Sequence, residues 1–469
     1  MTARRFLLLV VSLLLVSGCG GGGGERSVSS TYEYEGIPTG YDFPTQEDVL
    51  LGYVDSNNIR AIRRHAWNIW AGLNAPSHFS WHGQVLPVWE TWYSASEVFV
   101  DGPNAATDHN FHHPFEVPRQ SKHLSKVFGQ KSTAVLSFVK YDRPAAQFIW
   151  DQNYYLRRTL QDLGRRFDKE AAPVDQRTIE PYPHRAVALK VVFWLIKKGK
   201  LTALPVWDPH YPPPPGGQTP THLTWRKCVA VDAAGRYAAG TMKTVVCNGH
   251  RVSAPVVHLD RFYRYRLADR TDVIDARDFL LEFSQPKEEE QFVANPSQRH
   301  PQIGDYAALM AMHVTTKETD NWTWQTFWWS PTPDAGPDGA DRTPNVKGEF
   351  RNYEMCTAYS MVTPRRPGGG PAVCFNPFLE TDLGPTSPFE LDGKTFPADP
   401  LAGTRSNCQN CHAKAATPAF LKGQVHSANY GRVFNEGFIS PSSDYYKGLV
   451  RTDFLWSVVF HSRVEKHKQ

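Results

Sequence analysis

Arg185-Ala186-Val187-Ala188-Leu189-Lys190-Val191-Val192-Phe193-Trp194-Leu195-Ile196 is the stretch on which the architecture turns, because its apolar residues run almost unbroken around a single lysine. Such a run is long enough for a buried helix and β-branched enough for a central strand, and periodicity alone does not separate the two. Lys197, Lys198 and Gly199 end it in either case. The region after it is β-rich. Downstream, Trp225 to Val231 and Thr244 to Cys247 read as strands paired around a turn near Ala233-Ala234-Gly235-Arg236. Tyr263, Tyr265 and Leu267 then alternate with Arg264 and Arg266, the two-residue period of a half-buried strand.

Two aromatic segments lie further out. Val85-Leu86-Pro87-Val88-Trp89-Glu90-Thr91-Trp92-Tyr93 reads as a strand, with Pro87 placing its start near a sheet edge. The apolar run Ala307 to Val314, with His313 near its end, leads into Asn321-Trp322-Thr323-Trp324-Gln325-Thr326-Phe327-Trp328-Trp329. Trp89 to Tyr93 and Trp324 to Trp328 share a Trp-x-Thr-aromatic-aromatic pattern, but five positions in a chain with 14 tryptophans do not establish an internal repeat.

Helices are expected around this β-rich middle. Pro44 and Thr45 open a short one, and Asn57 or Asn58 caps another in which Ile59, Ile62, Ala66, Ile69, Trp70 and Leu73 recur at helical spacing. Tyr154 to Phe167 is a third, with Arg157, Arg158, Arg165 and Arg166 on its wet side. Phe454 to Phe460 begins the last, capped by Thr452 or Asp453. The proline and glycine stretches Tyr211 to Gly217, Pro331 to Pro344, Pro364 to Pro371 and Leu383 to Gly403 are loops. The expectation is an α+β fold: a β-rich body over residues 34–380 with peripheral helices, followed by a C-terminal segment, 381–469, of different character.

That segment holds Cys408-Gln409-Asn410-Cys411-His412. In a C-x-x-C-H run the two thiols can form thioethers with the vinyl groups of a haem, and the histidine then lies under the iron as proximal ligand. The competing readings are a bare disulfide or half of a zinc site, but zinc needs a second Cys/His pair and none follows. One covalent haem c, held by Cys408, Cys411 and His412, is therefore expected. Composition bounds the rest: 41% hydrophobic and 21% charged residues suit a folded body rather than a disordered or membrane-spanning one, and a formal charge of +4 gives no basic surface for nucleic acid.

The N-terminus reads as an address. Arg4 and Arg5 precede the apolar run Phe6 to Val16, too short to span a bilayer stably, and Val16-Ser17-Gly18-Cys19 resembles the lipobox of bacterial lipoproteins. That resemblance implies a signal peptide over 1–18 and lipid on Cys19; the alternatives are an ordinary secretory signal or an N-terminal membrane anchor. Gly20 to Gly24 and the serines after it form a flexible tether over 19–33. The expected address is the bacterial cell envelope, membrane-anchored through the lipid and facing the periplasm, with Gly20 in place of an aspartate favouring the outer membrane. Seven cysteines then divide without remainder: Cys19 to lipid, Cys408 and Cys411 to haem, and Cys228 with Cys247 and Cys356 with Cys374 as two disulfides of an oxidising compartment.

The sixth iron position is open between candidates. No methionine follows Met361, which disfavours a His/Met pair. His461, on the apolar side of the last helix with Phe454 and Val458, is one candidate; His313 and His426 are others, and a vacant position is the remaining one. Asp108-His109-Asn110-Phe111-His112-His113 has the content of a metal site but reads better as a solvated loop.

With these residues quoted, the chain resembles a group of bacterial exported single-haem proteins of c-type cytochrome character. The likeness rests on Val187 to Trp194 with its central lysine, on Met312-His313-Val314-Thr315-Thr316-Lys317 running into Trp322 to Phe327, and on the late C-x-x-C-H. It supplies no substrate and carries over no catalytic residue; covalent haem itself, held through repeated redox cycling outside the cytoplasm, leads to the expectation of electron transfer with other envelope redox proteins. The alternatives are a haem-dependent oxidoreductase or a haem-based ligand-binding module. In the oxidoreductase reading Trp322, Trp324, Trp328 and Trp329 line an aromatic pocket while His313 and Lys317 move protons, against a plain packing role for the indoles.

Overall fold

Val187 to Ile196 is a strand, and apart from Lys190 it is apolar because both of its faces are covered. The computed structural model describes residues 36–107, 109, 136–208, 225–273, 276, 301–365, 369–380, 389–391, 393–396, 405–418 and 438–464. The signal and tether segments, Cys19, His112, His113 and His426 lie outside the described residues. Helices α1 (Glu47–Asp55) and α2 (Ile59–Leu73) come first, then β1 (Pro76–Trp81), β2 (Gln84–Pro87), β3 (Tyr93–Ser94) and β4 (Leu136–Tyr141). After α3 (Arg143–Asp151) and α4 (Arg157–Lys169) the chain forms β5 (Val187–Ile196), β6 (Leu201–Pro205), β7 (Cys228–Asp232), β8 (Met242–Cys247), β9 (His250–His258) and β10 (Arg264–Arg266). It continues through β11 (Tyr306–Thr316), β12 (Thr323–Trp329) and β13 (Tyr353–Ala358) to two short helices, α5 (Cys408–Ala413) and α6 (Trp456–His461). The fold is α+β with a β-rich body. Among the described residues no helix is long and apolar enough to cross a membrane.

The main sheet runs β13-β12-β11-β5-β4-β3, and β10 sits beside the N-terminal part of β11, giving seven strands with antiparallel pairing throughout. Residues paired across adjacent strands share a face. One face therefore carries Phe327, Met312 and Val191, which face one another in register. Against this face α2 packs its apolar stripe: Trp70 stacks on Phe327 at 4.3 Å and Trp67 lies at 5.5 Å from the same ring. Asn58 starts α2 by accepting a hydrogen bond from the Ala61 N–H, as the sequence leads one to expect. The other face carries the row Cys356, Thr326, His313, Lys190 and Val139, and the next row Ala358, Trp324, Thr315, Ala188 and Tyr141. The C-terminal part of the chain covers this second face.

A smaller sheet of order β6-β7-β9-β8 corrects the expected pairing of β7 with β8. β7 bonds to β6 and, in parallel, to β9, while β8 forms a hairpin with β9. The reason is local: Asn248 (φ 47°) and Gly249 (φ 81°) form a two-residue turn of the left-handed kind that closes tight hairpins. The Cys228–Cys247 disulfide joins the two strands nonetheless, with Cα atoms 6.1 Å apart, and Cys356–Cys374 is the second disulfide.

Two further expectations need correction. Val85 to Tyr93 is not one strand. β2 ends at Pro87, which lacks the N–H to continue a ladder, and a 3-10 turn over Val88–Thr91 follows, closed by the Thr91 hydroxyl on the Val88 carbonyl at 2.7 Å. Trp89 to Tyr93 thus differs in conformation from the continuous strand at Trp324 to Trp328, which removes the structural basis for a repeat. The last helix begins at Trp456 rather than Phe454, because Asp453 (φ 45°) and Phe454 (φ 68°) are left-handed and cannot be helical. Neither Thr452 nor Asp453 caps it. Thr452 donates to the Leu455 carbonyl, and Asp453 accepts from the Tyr182 N–H and the Lys317 ammonium, each at 2.9 Å.

Candidate functional site

Asn407 starts α5, its Oδ1 accepting from the Asn410 N–H at 2.9 Å, and its amide donates to the Ser360 and Ala372 carbonyls. Gln409, inside the motif, donates to the Asn321 and Trp322 carbonyls at 3.2 and 3.0 Å. The pentapeptide is thereby clamped to the turn between β11 and β12. Cys408 and Cys411, one helical turn apart, share a face of α5, and they are the free thiols among the described residues, the other four described cysteines being paired.

His412 is fixed on two sides. Its Nδ1 lies 2.9 Å from the Phe454 carbonyl oxygen, so that nitrogen carries the proton and Nε2 keeps its lone pair for a ligand. The Trp324 ring packs on the imidazole at 4.0 Å between centroids. Burial pushes the His412 pKa down to about 4, against the Phe454 hydrogen bond, and Lys190 adds to the depression. A neutral imidazole with one free nitrogen is the form that binds a metal.

Beside it the second sheet face supplies Lys190 and His313, and the segment after Cys374 adds Glu380. His313 stands directly across from Lys190 in the β11–β5 register. His313 Nε2 is 3.7 Å from Glu380 Oε1, and the Cys408 thiol is 3.9 Å from the same oxygen. The Asn376 N–H also donates to Glu380, and Asn376 is itself held by its amide on the Thr326 hydroxyl and the Phe327 carbonyl. Burial raises the Glu380 carboxyl to about 8, opposed by the Asn376 hydrogen bond and Lys190. Burial, Lys190 and His412 hold His313 well below the usual histidine range, and burial lowers Lys190.

Of the sequence candidates for the sixth position, His313 is the one placed beside Cys408; His461 is buried with its ring on Phe99 at 5.6 Å. Met361 lines a cavity of about 240 Å³ with Gln409, Asn321, Tyr359 and Phe438. Lys317 is tied to Asp453 and the Asp320 carbonyl, which leaves it poorly suited to proton transfer. The indoles of Trp324, Trp328 and Trp329 donate to Asn321, Glu354 and Arg261, so these rings pack as the bland reading has it, and Trp324 alone of them touches His412. His109 departs from the solvated-loop expectation: its side chain is covered, with Nδ1 at 2.6 Å from Glu97 and Nε2 at 2.8 Å from the Thr91 carbonyl.

Sequence reasoning missed Glu380, which sits in an irregular segment with no pattern around it. Lys190 did carry a signal, as the one charge in an apolar run. No family model, no curated protein and no solved structure matches this chain.

Proposed function

We propose that this chain is an exported, lipid-anchored single-haem c-type cytochrome that exchanges electrons with other redox proteins of the bacterial envelope, with Cys408 and Cys411 carrying the porphyrin and His412 beneath the iron. The observation that carries the reading is the His412 ring, oriented by the Phe454 carbonyl so that Nε2 is the nitrogen available to iron. Two unpaired cysteines on the same short helix, in a chain whose other described cysteines are all bonded, support it. A bound haem supplies one-electron chemistry at iron. The chain's own part is to orient the imidazole through Phe454, to cover it with Trp324, and to hold α5 rigid through Asn407 and Gln409.

A second reading rests on a specific cluster. His313, Glu380 and Cys408 offer ligand atoms that all lie within 4.8 Å of one another, a set that suits zinc or iron without porphyrin. It requires a thiolate at Cys408. Burial first, and then Glu380, push that thiol well above its ordinary range, and burial pushes Cys411 up to about 12. A neutral thioether suits such surroundings better.

The test is a pyridine haemochrome spectrum of purified, exported full-length protein, with haem staining after denaturation. Covalent haem at one per chain that is lost in C408S and C411S is the expected result. Colourless protein that yields one zinc or iron to a chelator would replace this reading with the second. The lipid anchor is tested separately, by labelled fatty acid incorporated into the wild type and absent from C19S.

A further inference from the structure

Lys190, His313 and Glu380 arrive at one place from three separate segments: β5, β11 and the chain that follows Cys374. Nothing in the fold calls for an ammonium in the middle of a strand whose other positions are buried and apolar. Lys190 is the one partly exposed position of that strand, and drawing its charge even part of the way out of water is unfavourable unless something pairs with it. Yet Lys190 makes no hydrogen bond or ion pair among the described residues. Its cross-strand neighbour His313 approaches Glu380 only to 3.7 Å, beyond hydrogen-bond length. Glu380 takes the Asn376 N–H on one carboxylate oxygen; the other, 3.7 Å from His313, is the oxygen that the Cys408 thiol approaches at 3.9 Å, a contact that a thioether at Cys408 gives up.

The inventory is therefore one-sided. Lys190 brings up to three N–H donors and His313 a ring N–H, against one carboxylate among the described residues beside them, of which one oxygen already holds the Asn376 N–H. His313 keeps 19% and Glu380 12% of the side chain accessible, so the group is enclosed without being sealed. The ligand atoms of His313, Glu380 and Cys408 all lie within 4.8 Å of one another, which puts the group against the attachment helix. Excess donors with a positive charge, in an enclosed place, select an acceptor-rich anion over an apolar gas or a cation.

We propose that Lys190 and His313 form a binding site for a small inorganic oxyanion, of the size of nitrite, beside the haem attached to Cys408 and Cys411. This rests on the haem reading above. Lys190 supplies the charge and most of the donors; His313 fixes the orientation of the anion from the adjacent strand.

Titration of the ferric, full-length holoprotein with sodium nitrite at constant ionic strength, followed by its Soret band, tests the site. A saturable shift is expected in the wild type, weakened about tenfold or more in K190M and largely restored in K190R. H313Q weakens binding to a smaller degree. A wild-type spectrum blind to nitrite overturns the proposal, as does K190M binding within about twofold of wild type. So does an H313A protein that gains nitrite binding where the wild type has none, since His313 would then be occupying the iron. If K190M fails to melt cooperatively, K190R and H313Q carry the comparison. A pyridine haemochrome on each preparation separates the two levels: protein without covalent haem overturns both readings, whereas haem-bearing protein indifferent to nitrite overturns only this one.

Discussion

His412 Nδ1 lies 2.9 Å from the carbonyl oxygen of Phe454, a residue held in the left-handed region at φ 68°. That conformation is costly for a residue with a side chain, and its neighbour Asp453 shares it. What keeps the pair in place is Asp453 itself, through the Lys317 ammonium and the Tyr182 N–H. Both charged partners are about nine-tenths buried. D453A leaves the Lys317 charge buried without its counter-ion and is expected to cost about 3 kcal/mol of unfolding free energy in denaturant titration. With the carbonyl displaced, the imidazole loses its acceptor; on the proposed haem reading it then becomes a poorer donor to iron and the midpoint potential should rise. A D453A protein with unchanged stability and potential would remove this chain of support.

The Cys356–Cys374 bond fixes the edge strand β13 to the segment that leads to Glu380, and the Cys374 N–H donates to the Ser406 carbonyl just before α5. Eighteen residues separate the two cysteines, and a loop of that length contributes about 3 kcal/mol on the chain-entropy model. The double variant C356S/C374S should lose about that much and also perturb the Soret band, because the approach to α5 is loosened. C228S/C247S, which opens a loop of 19, should lose a similar amount while leaving the spectrum alone. Equal spectral effects would place the first disulfide outside the support of the site.

Glu90 gives a pH dependence unconnected with the haem. It is 3% exposed, its Oε1 has no hydrogen-bond partner among the described residues, and burial raises its pKa from 4.5 to about 7, against the nearby Lys140. Between those two values the folded chain keeps the proton that the unfolded chain has lost. The stability this group contributes is thus whole below pH 4.5 and is lost as pH rises through about 7. E90Q removes the dependence. It should match the wild type near pH 4 and exceed it near pH 8 by up to roughly 3 kcal/mol, measured by thermal or denaturant melts at both pH values. Equal melting at pH 8 would mean that Glu90 ionises freely in the fold.

Particular residues show what the sequence made legible. α2 needed only its cap and its apolar stripe, and the two disulfides only the arithmetic of seven cysteines. β5 was undecidable alone because a strand covered on both faces loses its alternation. The β8–β9 hairpin was legible in Asn248-Gly249 and was passed over for a longer turn. Other features had no local trace. The start of α6 is set by left-handed residues that Lys317 and Tyr182 hold from far along the chain. The opposition of Lys190 and His313 is a matter of register between β5 and β11, which no single stretch encodes.

Asn407 makes the sharpest test of how α5 is held. Its Oδ1 caps the helix at Asn410, and its Nδ2 donates to the Ser360 and Ala372 carbonyls, all in a residue 5% exposed. The two functions separate chemically. N407S keeps a capping oxygen and gives up the amide donors, whereas N407D keeps the cap and points a carboxylate at two carbonyl oxygens. Loss of the cap alone is worth about 1 kcal/mol, and each buried acceptor left without a donor costs about 1–3 kcal/mol. N407D should therefore be the more destabilised of the two, although aspartate is ordinarily as good a cap as asparagine. Covalent haem yield in exported protein should follow the same order, since a frayed α5 no longer presents Cys408 and Cys411 on one face. If N407D proves as stable as the wild type, the clamp on Ser360 and Ala372 carries no weight and α5 is held by its other contacts, Gln409 on Asn321 and Trp322 and the Trp456 indole on Cys411 among them.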